Sequence, residues 1–176
     1  MASKLRRYWD SACCFGYLWD QAGRADDCER VLKDAEEGNC EIVISALTIA
    51  EVLHIKGDKR MFPKSSGEKI RGFFRRTIFT VSDVDRFIAE RAQDLFWEHD
   101  IMPKDAIHIA TAIDAGVRYL ETFDGSLIGK SRLVGGDPQL VIQIPGADLV
   151  AQGKSDPKAS SPYLEFPGDL SGPLSS

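Results

Sequence analysis

Five short runs rich in β-branched and aromatic residues, separated by stretches of helical character, constrain this chain more than any other feature. The runs are LRRYWD (residues 5–10), EIVIS (41–45), TIFTVS (77–82), VRYLETF (117–123) and QLVIQIP (139–145). Runs of that length and composition read as strands. Several lack a clean alternation of apolar and polar residues, so both of their faces are expected to be buried. Helical stretches lie around them: about 17–37, stopped at Gly38-Asn39; TIAEVLHIK, 48–56; a basic helix over 68–76; 84–99, capped by Ser82 or Asp83; and a helix opened by Pro103 and stopped at Gly116. Such alternation predicts an α/β fold, a central parallel sheet with helices on both faces. On that reading Ile49, Val52, Leu53 and Ile55 turn into the core, as do Val84, Phe87, Ile88, Ala92, Leu95 and Phe96. The 176 residues suffice for one such domain, placed at 1–145. Residues 146–176 are rich in Gly, Pro, Ser and Asp and read as a flexible tail.

All strands of a parallel sheet end at one edge, and four acids map to it. Asp10 ends the first run, and Asp124 ends the fourth in ETFDGS. The helix after the second run begins at the same edge and carries Glu51. The helix opened by Pro103 must descend to the fourth strand, so it starts there too, with Asp105 in its first turn. Each acid also has an ordinary role. Asp10 and Asp124 suit a turn or a cap, Thr48 and Glu51 fit a capping box, and Asp105 complements a helix dipole. Four acids at the edge where open α/β sheets bind ligands are better explained together, by a site. Two carboxylates about 4 Å apart repel by roughly 4 kcal/mol at an effective dielectric near 20. Four of them need protons or cations between them. An all-oxygen donor set suits Mg2+ or Mn2+, whereas zinc calls for His or Cys. His108, one turn after Asp105, is expected to pack or hydrogen-bond rather than ligate. His54 and His99 form no convergent pattern.

The formal charge is −5, but its distribution is uneven. Lys56, Lys59, Arg60, Lys64, Lys69, Arg71, Arg75 and Arg76 face only Asp58 and Glu68, so eight basic against two acidic residues leave this segment at +6. It reads either as a solvated face or as a patch for phosphates. Cys13, Cys14, Cys28 and Cys40 form no C-x-x-C pair and read as core-filling residues. No apolar run approaches a membrane span, and MASKLRRYWD has no apolar signal core, so a cytoplasmic location is expected.

YWDSACC, SALTIAEVLH, PKDAIHIATAIDAG and YLETFDGSL, taken in order across about residues 5–145, resemble the PIN-domain nuclease family, in particular its VapC-type toxin branch and stand-alone relatives. The resemblance implies a Rossmann-like α/β/α sandwich with a central parallel sheet. It also implies a quartet of acids that binds Mg2+ or Mn2+ and cuts RNA, and the quartet falls on Asp10, Glu51, Asp105 and Asp124. Ser11, Thr122 and Ser126 fall where hydroxyls orient ligands or water, or simply bond within a turn. Lys56, Lys59, Arg60, Lys69, Arg71, Arg75 and Arg76 become candidates to hold an RNA backbone, single-stranded or looped. The toxin branch implies an antitoxin protein as partner, and a homodimer is expected.

Two other classes compete with this one. Aspartyl-phosphate chemistry of the dehalogenase type wants a second Asp two places after Asp10, where Ala12 stands; a phospho-acceptor receiver wants an acid pair near the first strand, and Lys130 is the only late Lys near the last strands. A non-catalytic module that binds RNA or protein, with a weak metal site, stays open.

Overall fold

In the computed structural model, which describes residues 4–54 and 61–153, the neighbours Tyr8 and Trp9 are both fully buried, on opposite faces of one strand. That strand, β1 (Leu5–Trp9), lies at the centre of a sheet with β2 (Cys40–Ser45), β3 (Phe79–Ser82), β4 (Tyr119–Glu121) and β5 (Val141–Gln143). All pairings are parallel, in the order β3-β2-β1-β4-β5, with Tyr8 beside Val43 and Leu120. The helices are α1 (Ser11–Leu18), α2 (Arg24–Glu36), α3 (Ala46–Glu51), α4 (Gly67–Phe74), α5 (Arg86–His99), α6 (Pro103–Asp114), α7 (Gly125–Ile128) and α8 (Ala147–Ala151).

Side chains alternate across a strand, so the sheet divides the core in two. Trp9, Ile42 and Ile44 pack on one face with Phe15, Val31, Leu32 and Phe73. Tyr8, Val43 and Leu120 pack on the other with Ile88, Leu95 and Ile109. Each fully buried aliphatic side chain contributes roughly 2 kcal/mol. The expected α/β sandwich is therefore present, and both faces of β1 and β2 are covered. The chain leaves β1 toward β2 and β3, then crosses back to β4 on the other side of β1. This reversal makes the carboxyl edge between β1 and β4 a topological switch point.

Several boundaries differ from expectation. The stretch 17–37 is two helices, because Asp10 caps a helix that begins at once, and positive φ at Asp20 and Gly23 interrupts the path. The helix expected over 48–56 ends at Glu51. Ser45, not Thr48, caps it, accepting the Leu47 N–H, so no capping box forms. Val52 is buried but Leu53 is 46% exposed, and Ile55 lies outside the described residues. Asp85 caps α5, rather than Ser82 or Asp83. Only the i, i+4, i+7 stripe of Ile88, Ala92 and Leu95 is buried, while Val84, Phe87 and Phe96 are exposed. A single packing seam against α6 needs no wider band.

The flexible tail expected from residue 146 does not begin there. Gly146 donates its N–H to Glu121, Asp148 pairs with the buried Arg7 at 2.7 Å, and Leu149 joins the Trp9 side of the core. Residues 154–176 lie outside the described residues. All four cysteines are buried and free. Among the described residues no helix is long and apolar enough to cross a membrane.

Candidate active site

Asp10 follows β1 directly, and its backbone N–H reaches the Glu121 carbonyl at 3.4 Å, which joins the ends of β1 and β4. Its Oδ1 accepts the Cys13 N–H at 3.0 Å. Burial pushes the Asp10 carboxyl up, while His108, the Thr122 hydroxyl and Cys13 pull it back. Asp124 lies three residues past β4 and caps α7. Its Oδ1 accepts the Ser126 hydroxyl at 2.7 Å and the N–H groups of Ser126 and Leu127 at 2.8 and 3.3 Å. Those bonds, the Ser126 hydroxyl first, hold its carboxyl below the usual range. The ordinary capping roles of Asp10 and Asp124 are thus both realised. They occupy Oδ1 and leave Oδ2 of Asp124 with no partner among the described residues.

Glu51 ends α3, and both of its oxygens are engaged. Oε1 lies 2.8 Å from Lys104 Nζ, and Oε2 lies 2.8 Å from His108 Nε2. His108 Nδ1 lies 2.7 Å from the Tyr8 hydroxyl inside the core. A carboxylate only accepts, so Nε2 carries a proton, and in the neutral ring the Tyr8 hydroxyl donates to Nδ1. Burial pushes the Glu51 carboxyl up, but His108 and Lys104 outweigh it and bring it to about 2.

Asp105, in the first turn of α6, has no such support. It is half-buried and makes no hydrogen bond or ion pair among the described residues. Burial pushes its carboxyl up; Asp124, Asp10 and Glu51 push in the same direction, and His108 opposes them. Asp105 therefore feels each of the other three expected acids at the carboxyl edge of the sheet.

They do not form a closed cage. Among the described residues no group of three or more His, Cys, Asp or Glu side chains is arranged to hold an ion as it stands. Three of the four acids are held by caps or by Lys104 and His108. The donor chemistry nevertheless fits a hard divalent cation. An unpartnered, half-buried carboxylate among like charges is the group such a cation would relieve.

The hydroxyl candidates lie close by. Ser11 opens α1 next to Asp10; Thr122 is buried, and its Oγ1 accepts the Asp124 N–H at 3.0 Å; Ser126 bonds Asp124 as described. The basic segment is not one patch. Lys56, Lys59 and Arg60 lie outside the described residues. Arg71 pairs with Glu68 on its own helix. Arg75 and Arg76 lie in the turn between the end of α4 and the start of β3, hence at the amino edge of the sheet, away from the acids. Arg76 pairs there with Glu36, the last residue of α2. Lys69 lies in the first turn of α4, whose eight residues put about 12 Å between its ends. A count of charges along the chain could not separate the two edges.

Two side chains at the site carry no clear signal in the sequence: Lys104, which pairs with Glu51, and Tyr8, which holds His108. The spacing of Lys104 and His108, four residues apart on one helix, was the available signal. His108 does hydrogen-bond, as expected, and one of its partners is an acid of the quartet.

The family model for the PIN domain matches residues 9–131. No curated protein matches the chain at a significant level. Among solved structures, VapC20 of Mycobacterium tuberculosis, a toxin that cleaves the sarcin–ricin loop, superposes with a TM-score of 0.56 at 15% identity. The match covers 69% of this chain and 92% of that one, and at this identity it is the fold that the two share.

Proposed function

Since this chain belongs to the PIN-domain family, we propose that it is an Mg2+- or Mn2+-dependent endoribonuclease, acting as a toxin in the manner of VapC proteins. The observation that carries this reading is Asp105: half-buried, unpartnered, and pushed upward by burial first and then by Asp124, Asp10 and Glu51, at a switch point of the sheet. A divalent cation held there would lower the pKa of a water and offset the negative charge that develops on the phosphate. Asp10, Asp105 and Asp124 would hold it or its waters. A carboxylate oxygen not spent on the ion accepts the proton of the attacking water. Thr122 and Ser126 fix the loop that presents Asp124, through bonds of 3.0 and 2.7 Å. Single-stranded or looped RNA is the substrate, because its backbone can enter an edge crevice. A small antitoxin protein, a homodimer and a cytoplasmic location belong to the same reading.

The test is cleavage of a labelled RNA with Mn2+, with EDTA, and by Asp10→Asn. Cleavage is expected only for the wild type with metal, with the variant slowed at least about 100-fold. Equal cleavage in all three arms contradicts the proposal.

The absence of a closed ion cage among the described residues favours one other reading, a non-catalytic module for RNA or protein. It requires that millimolar Mn2+ give no binding heat with the wild type.

A further inference from the structure

Four carboxylates line this edge, and RNA would bring more negative charge to it. Among the described residues, Lys104 is the lysine or arginine bonded directly to one of the four. Its partner is unusual in being held from behind. Glu51 gives Oε1 to Lys104, while its Oε2 is fixed by His108, itself fixed by Tyr8. The Glu51 side chain is 12% exposed and that of Lys104 73% exposed. The buried end of this chain of bonds is therefore rigid, and its outer end is an ammonium in solvent. An ammonium has three donors. Glu51 takes one, and the other two have no partner among the described residues. An ion pair this open to water adds little to stability, so stability is a poor reason for it. Lys104 also precedes Asp105 directly in the first turn of α6.

We propose that Lys104 is the phosphate-binding cation of this site, and that Glu51, clamped by His108, serves as its anchor rather than as a direct ligand of the ion. The proposal rests on the ribonuclease reading for its substrate. No bond is made or broken at Lys104. Its ammonium keeps the Glu51 contact and offers its free donors to a backbone phosphate, offsetting the repulsion that the aspartates exert on RNA.

The test uses the full chain and a fluorescein-labelled single-stranded RNA in EDTA, where no cleavage occurs, with anisotropy measured across salt concentrations. Lys104→Gln is expected to weaken binding about fivefold at low salt and to reduce the slope of log K against log salt by about 0.7, while Lys104→Arg restores most of the affinity. Calorimetry with Mn2+ alone is the second readout. Glu51→Gln is expected to bind Mn2+ within about threefold of the wild type and to lose RNA affinity as Lys104→Gln does. Lys104→Gln equal to the wild type in affinity and slope overturns the role of Lys104. A tenfold or greater loss of Mn2+ affinity in Glu51→Gln overturns the anchor. Wild type that binds no RNA overturns both this proposal and the ribonuclease reading.

Discussion

Glu51 shows how one side chain can be costly to bury and still ionised. Burial alone would raise its carboxyl, yet the His108 and Lys104 bonds bring it to about 2. A group lowered in the folded state stabilises the fold above its ordinary range, and the contribution is lost as pH falls. Urea midpoints of the wild type are therefore expected to drop between about pH 4.5 and 2, and Glu51→Gln is expected to flatten that interval. Parallel profiles for the two proteins would show that the pair does not act this way. Tyr8 supports the same unit from inside the core, where it is fully buried. Tyr8→Phe leaves the buried His108 Nδ1 without its partner, and a loss of about 1–3 kcal/mol in urea unfolding is expected. A loss below about 0.5 kcal/mol would mean that the hydroxyl does not hold the ring.

The elements differ in how far their sequence discloses them. The strands were legible because β-branched and aromatic runs of five to seven residues leave few alternatives, as Ile42, Val43 and Ile44 show with all three buried. The start of α1 was not, because Asp10 is at once the end of a strand and the cap of a helix, and the strand signal masked the cap. The last helix was missed for a different reason. Its composition resembles a linker, and its partner Arg7 lies 141 residues away in sequence. Arg7 is fully buried, donates to Asp148 through two bonds of 2.8 and 2.7 Å, and donates to Glu121 at 2.8 Å. Glu121 also accepts the Trp9 indole N–H and the Gly146 N–H, so this network joins β1, β4 and α8 just below the acids. Asp148→Ala leaves the buried guanidinium only partly compensated, and a loss of about 3 kcal/mol by urea unfolding is expected. An unchanged midpoint would show that α8 is held by Leu149 alone.

At the scale of the molecule, topology gathers what sequence scatters. Asp10, Glu51, Asp105 and Asp124 span more than a hundred residues, and it is the parallel direction of β1, β2 and β4, together with the descent of α6, that brings them to one edge. That convergence could be read from the order of strands and helices alone. The details could not, because they depend on side-chain partners: Lys104 and His108 on Glu51, Ser126 on Asp124, and none for Asp105. The same topology sends Arg75 and Arg76 to the far edge and keeps Lys104 at the acid edge, paired with Glu51. Everything proposed for the chemistry requires one divalent ion shared by three aspartates. Crystals soaked in MnCl2 and measured at the manganese edge test that requirement most directly. The expected result is an anomalous peak between the carboxylates of Asp10, Asp105 and Asp124 that disappears in Asp105→Asn. Well-ordered aspartates with no peak between them, or manganese bound only elsewhere on the surface, would contradict it.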